Sequence, residues 1–275
     1  MRKVLFPLSL LLAAGVTGAF LLLPLVAIFT RVPFSTLLDQ LGSGVVTDAL
    51  IVSLKTTAIA QAAIILFGTP TAYLLATRRF PGHALAVTLV ELPLVLPPAV
   101  AGIGLLAAFG RVGLLGSTLT FFGVQIPFTQ TAVVLAVAFV ASPLYVRQAI
   151  ASFETVDQNL VDASRTLGAG PARTFWRIAL PLASGGLAAG AALAFARGLG
   201  EFGATIMFAG SFRGVTQTLP LAIYAEFENE FDVALAIGGL LVVVSAALLV
   251  LLKIGLGWTS SRSTSPFLFA RTRSS

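Results

Sequence analysis

The sequence contains no cysteine and a single histidine, His83, which excludes a disulfide framework and leaves no Cys/His cluster for a metal. Charge is scarce as well. Only 10% of the 275 residues are Asp, Glu, Lys or Arg, where a soluble domain carries about 25%. There is no G-x-x-x-x-G-K-[ST] phosphate cradle, so the chain is not expected to bind or hydrolyse ATP itself. One histidine, no cysteine and few carboxylates inside the apolar runs provide no convergent catalytic set, so no catalytic residue and no metal site are expected. What is abundant is apolar: 57% hydrophobic residues and a mean hydropathy of +0.98. The formal charge of +6 does not mark a nucleic-acid binder, because the basic residues fall in short segments between apolar runs.

A bilayer core about 30 Å thick needs about 20 mostly apolar residues per helical span. Six stretches qualify, roughly 4–30, 49–77, 84–109, 131–152, 182–208 and 233–254, which predicts an all-α membrane protein with one transmembrane domain over 1–275. The first run follows "MRK", as a signal peptide would, but its uncharged length from Val4 to Thr30 exceeds a signal h-region and reads as a retained span. Lys and Arg flank cytoplasmic ends. With the N-terminus inside, twelve basic residues (Arg2, Lys3, Arg78, Arg79, Arg147, Arg165, Arg173, Arg177, Lys253, Arg262, Arg271, Arg273) lie on the cytoplasmic side and three (Arg31, Arg111, Arg213) outside. That asymmetry puts both termini in the cytoplasm and the chain in the plasma membrane. The polar tail 260–275 is expected to be loosely ordered, and the outer loop 211–232 to include a short interfacial helix.

The third span is interrupted by Pro93, Pro97 and Pro98. Proline removes a backbone donor and obstructs a regular helix. In lipid the freed carbonyls must be met by protein or water, so a bent helix, either a static kink or the lining of a cavity, is expected.

Between the fourth and fifth spans lies a polar stretch of about 152–181, "SFETVDQNLVDASRTLGAGPARTFWRIALP". Val156, Leu160, Ala163 and Leu167 recur at helical spacing, Gly168 and Gly170 follow as helix stops, and Pro171 suits the first turn of a second helix. This predicts a helix, a tight turn and an amphipathic helix lying on the membrane surface. The pair either anchors at headgroups through Trp176 and its arginines, or docks a cytoplasmic partner.

From Asp162 through Gly168 to Ile178, Leu180 and Pro181, the spacing D-A-S-x-x-x-G-x9-I-x-L-P resembles the EAA loop of ABC importer permeases, with Asp162 in place of Glu and Ser164 in place of the second Ala. A second set of motifs, "FARGLGEFGATIMFAG" (195–210), "TQTLPLAIY" (216–224) and "LPLVLPPAVAGIGLL" (92–106), looks like the molybdate permeases, with sulfate permeases as close relatives. The resemblance implies an ABC importer permease fold of six helices, assembled as a homodimer. Two cytoplasmic ABC ATPase subunits, which use ATP and Mg, and an extracytoplasmic oxyanion-binding protein would complete it. It gives the role of ATPase-coupling loop to Asp162, Ala163, Ser164, Arg165, Leu167, Gly168, Ile178, Leu180 and Pro181, and implies no cofactor bound by the chain itself. The same architecture would also carry sulfate, thiosulfate or tungstate. A stand-alone secondary transporter or channel predicts inverted repeats; none is visible, and that reading leaves the 152–181 segment without a task.

The fifth span carries "RGLGEFG" at 197–203. Gly198, Gly200 and Gly203 spell G-x-G-x-x-G, but without a preceding strand this is no dinucleotide fingerprint. Gly186, Gly190, Ala194 and Gly198 make a small-residue face for close helix packing. Arg197 and Glu201, at i and i+4, are spaced to pair. A charge at such depth costs at least ~2.5–3.5 kcal/mol, which pairing reduces. The pair either orients helices or handles the anion, Arg197 near its route and Glu201 limiting its grip. Arg197, Gly198, Glu201, Phe202 and Gly203, with Pro97 and Pro98, are the candidates for the translocation path or gate. Lys55 and Glu91 are the other charges in the spans, Lys55 close enough to a helix end to snorkel.

Overall fold

The computed structural model describes residues 2–33, 35, 39 and 42–260; the tail after Ser260 lies outside the described residues. In chain order the helices are α1 (Arg2–Arg31), α2 (Gly44–Thr77), α3 (His83–Val95), α4 (Pro98–Phe109), α5 (Gly116–Phe121), α6 (Gln130–Glu154), α7 (Gln158–Thr166), α8 (Pro171–Leu199), α9 (Gly203–Ala209), α10 (Leu219–Phe227) and α11 (Phe231–Ser260). No strand occurs among the described residues. Side chains start several of them: Ser43 accepts the Val46 N–H at α2, Thr129 the Ala132 N–H at α6, and Asp157 the Asn159 N–H at α7. Pro98 and Pro171 sit where helices open, a position that needs no N–H.

Among the described residues five helices are long and apolar enough to cross a membrane; the α3–α4 pair, bent by 114° at Leu96–Pro97, makes six if counted as one broken span. Pro93 is accommodated inside α3, and the break falls where Pro97 and Pro98 follow. The prolines therefore interrupt the third span, as their chemistry requires.

α2, α6 and α8 form the packed centre. Gly190 and Gly198 let α8 press on α6: a Cβ on Gly190 would fall 3.0 Å from the Gln148 Cβ, and one on Gly198 would fall 2.7 Å from Val137 Cγ1. Gly186 abuts Ser152 in the same way. The small-residue face expected on the fifth span thus has its partner, and it is α6.

Burial inverts the soluble pattern. Over Ser9–Arg31 α1 buries no residue, while Leu11, Leu12 and Phe20 are each at least 70% exposed. An apolar surface of this kind suits lipid. α1 rests chiefly on α11.

One expectation needs correction. The segment from Pro171 is not a separate surface helix. It passes through a π-helical turn at Phe175–Ala179 straight into the span, with Thr174 and Ala179 buried. The short helix expected within 211–232 is α10, and its first turn packs inside the protein. Leu219, Pro220, Leu221 and Ala222 are buried, and Leu219 and Ala222 join Val46 and Ala49 of α2 and Ile237 of α11 in one cluster.

Candidate functional site: a broken-helix pair and a helical elbow

Hydropathy runs unbroken through 182–208, yet the helix does not. α8 ends at Leu199, and α9 begins at Gly203. Glu201, only 1% exposed, sits in the break. Its Oε1 accepts the Ala204 N–H at 2.8 Å, satisfying a donor that the new helix start leaves free. Its Oε2 lies 2.7 Å from Arg197 Nη1, although the N–H does not point along a hydrogen bond and no other group among the described residues bonds that oxygen. The pair expected from i,i+4 spacing is therefore formed, at the end of a helix rather than along one.

The half-helices α4 and α9 pack on each other. A Cβ on Gly203 would lie 2.8 Å from Pro98 Cβ and 3.2 Å from the Ala99 nitrogen. So the structure brings Pro98 to Gly203, with Pro97 capping α4 through its carbonyl to the Ala101 N–H. The Phe202 ring packs on Tyr224 of α10 at a centroid distance of 5.3 Å. Gly198 stands apart, turned toward Val137 and Thr57.

Beyond α9 the chain re-enters the protein. Gly210 adopts φ +67° and ψ −165°, a region reserved for glycine. Arg213 then pairs with Asp48 near the start of α2, and the Leu219 N–H donates to Ser53 Oγ at 2.7 Å. Ser53 lies nine residues beyond Gly44, about 13 Å along the helix. The buried Thr216, Gln217 and Thr218 carry this irregular backbone down with them. Such backbone at membrane depth is tolerated only inside protein or beside water. Sequence reading missed Ser53, Tyr224 and Ala204; the signal available was the polar "TQT" preceding a proline.

A cavity of about 560 Å³ opens between α2, α3, α4 and α6, lined by apolar side chains such as Ile64, Phe67, Leu89 and Leu105. Pro93 lines it, while Pro97 and Pro98 do not. Lys55 donates to Gln130 Oε1 at 2.9 Å where α6 begins; it lies eleven residues beyond Gly44, the start of its own helix, and not close to that helix's end. Glu91 faces Arg147 across α3 and α6 at 3.6 Å. Among the described residues no group of His, Asp and Glu is placed to hold a metal.

At the opposite end of α2 and α6 stands the elbow. α7 closes on Gly168, whose φ is +83°, with N–H donation to Arg165 O at 2.9 Å and from Ala169 to Ser164 O at 3.0 Å. Ser164 and Thr174 join their hydroxyls at 2.9 Å across the turn. The apolar stripe read from the sequence does not stay together. Val156 and Val161 are buried, while Leu160 and Leu167 point outward, Leu167 being 87% exposed. Asp162, Ala163 and Arg165 are exposed beside them, with Arg165 3.7 Å from Asp162. Behind the elbow Tyr73 of α2 packs edge-on against Phe153 of α6 and Phe175 of α8. Ile178 and Leu180 pack on the same core, and Pro181 is exposed. The elbow thus offers an uncovered apolar face on a rigid mount.

Residues 64–256 match the family described as binding-protein-dependent transport system inner membrane component. The chain belongs to this family. As an inner membrane component it is embedded in a membrane, and its relatives are permease subunits rather than enzymes. It is 44% identical over 236 residues to the molybdenum transport system permease protein ModB of Mycobacterium tuberculosis, covering 86% of this chain and 89% of that one. A probable transport system permease protein NifC of Clostridium pasteurianum is 37% identical, over 93% and 90% of the two chains. The sulfate transport system permease protein CysW of Synechococcus elongatus is 33% identical, over 86% of each. Among solved structures, a bacterial alginate ABC transporter matches with a TM-score of 0.70 at 16% identity over 96% of both chains. A chain of the MetNI methionine ABC transporter matches at 0.60 and 18% identity, over 80% of this chain and 97% of that one. At those identities the likeness is one of fold.

Proposed function

We propose that this chain is the translocating subunit of an ATP-driven importer for molybdate, and that it works as a homodimer of six-span subunits with both termini in the cytoplasm of a plasma-membrane assembly. An extracytoplasmic protein delivers the oxyanion. Two ATPase subunits, which bind ATP and Mg, supply the energy, and the chain itself binds no cofactor. The observation that carries the reading is the elbow: Leu160 and Leu167 are left uncovered on a helix that is tied by Ser164 and Thr174 to the start of a span. An apolar face on a rigid lever is what a groove on an ATPase would grip. Asp162, Ala163, Ser164, Arg165, Leu167 and Gly168 make that contact, and Ile178, Leu180 and Pro181 pass its motion into α8. Arg197, Gly198, Glu201, Phe202 and Gly203, with Pro97 and Pro98, belong to the gate, where two half-helices meet.

Molybdate is favoured by 44% identity to a molybdenum permease over most of both chains. Sulfate is the second reading, supported by a sulfate permease at 33%. Reconstitution with the ATPase and the binding protein tests the choice. Hydrolysis stimulated by molybdate and not by sulfate is expected; equal stimulation by both overturns the substrate assignment, and hydrolysis by this chain alone overturns the division of labour.

A further inference from the structure

We infer that Glu201 sets how long an oxyanion stays on Arg197, from the position in which it also caps α9; the inference rests on the importer reading above. Arg197 is 35% exposed and touches no polar group among the described residues except Glu201 Oε2, at 2.7 Å. A charge at membrane depth faces the bundle interior or a water-filled path. A guanidinium carries five donors in a planar fork that fits an oxyanion, and this contact occupies one nitrogen. Left unbalanced, such a fork would hold a passing dianion too well, and conduction requires a site weak enough to leave.

Glu201 provides the balance without being able to drift away. Its Oε1 is held by the Ala204 N–H, so Oε2 stays beside Arg197. An arriving oxyanion displaces Oε2 from the fork, and on its departure the tethered carboxylate returns. Because the tether is the first turn of α9, movement of α9 about the Gly200–Phe202 break changes the pairing distance. Gate position and anion affinity are thereby linked through one side chain.

Glu201→Gln separates the two roles, since the amide oxygen still accepts the Ala204 N–H while the negative charge is gone. The complex with its ATPase subunits, in lipid nanodiscs without the binding protein, is dialysed against molybdate. Glu201→Gln is expected to bind molybdate about tenfold more tightly than wild type, a difference of about 1.4 kcal/mol, because no carboxylate then competes for the guanidinium. With the binding protein restored, kcat for uptake is expected to fall while KM holds. The double variant Arg197→Gln/Glu201→Gln, which leaves no buried charge unpaired, is expected to lose the gain in binding and to transport slowly. Unchanged affinity in Glu201→Gln, or wild-type uptake in the double variant, overturns the inference. If Glu201→Gln does not assemble, the double variant alone decides by the same two readouts. If wild type responds to sulfate and not to molybdate, the substrate reading fails, and the same comparison is made with sulfate as the probe.

Discussion

Gly102 of α4 and Ala204 of α9 meet backbone to backbone: a Cβ on Gly102 would fall 2.7 Å from the Ala204 carbonyl oxygen and 2.8 Å from Met207 Cβ. Backbone cannot swing aside as a side-chain tip does. Gly102→Val is therefore expected to force the half-helices apart at a cost of about 1–3 kcal/mol, the range for overpacking a close contact. A lowered Tm for the purified protein, together with loss of uptake, checks it. An unchanged Tm would mean that α4 and α9 are not held together.

Gly168 has a positive φ, and its N–H closes the elbow onto Arg165. Proline fixes φ near −65° and carries no N–H, so Gly168→Pro removes both features. The turn lies outside the packed spans, and membrane insertion is expected to be normal. Uptake is expected to fall at least about tenfold, with residual hydrolysis no longer stimulated by the binding protein, as follows when more than about 1.4 kcal/mol of coupling is lost. Normal uptake in this variant would dissociate the elbow from coupling.

The spans were legible because lipid leaves a long apolar run no alternative to helix, and the break at Pro97–Pro98 was legible because proline has no donor. The break at Gly200–Phe202 was hidden. Glycine in an apolar run serves packing as readily as breaking, and Gly198 and Gly203 do pack tightly. What marks the break is Glu201, a carboxylate three residues before an amide it can cap, and spacing alone read it as an ion pair. Burial was the least legible property. A leucine exposed to lipid, or reserved for a partner, reads in sequence like one buried within the chain, so apolar periodicity did not tell the buried Val161 from the outward Leu167. Arg173 and Arg177 suggested a surface helix where the chain already climbs into α8.

The outward leucines of the elbow separate stability from association. Leu160 and Leu167 make few contacts within the chain, being 48% and 87% exposed. Leu160→Glu with Leu167→Glu is expected to change stability by no more than about 0.5 kcal/mol, as at other surface sites, and so to leave Tm nearly unmoved. Co-purification with the ATPase subunits is expected to weaken by about tenfold or more, since buried apolar anchors are worth above about 1 kcal/mol each at an interface. A variant that unfolds would place these residues in the core, and one that keeps its ATPase would move the docking face elsewhere.

Two tethers hold the 210–219 segment on α2, and they differ in kind. Arg213 and Asp48 pair at 3.2 Å with side chains 56% and 42% exposed, where solvent screens the charges. Asp48→Asn is expected to cost less than about 1 kcal/mol. The Leu219 N–H to Ser53 Oγ bond is buried, with both residues at most 1% exposed. Ser53→Ala strands a backbone donor with no water to receive it, at a cost of about 1–3 kcal/mol. The effect is local, so amide exchange of Leu219 and Leu221 is expected to speed up in Ser53→Ala while the centre of α6 keeps its protection. Equal acceleration in Asp48→Asn would mean that the surface pair, and not the serine, holds the segment at depth.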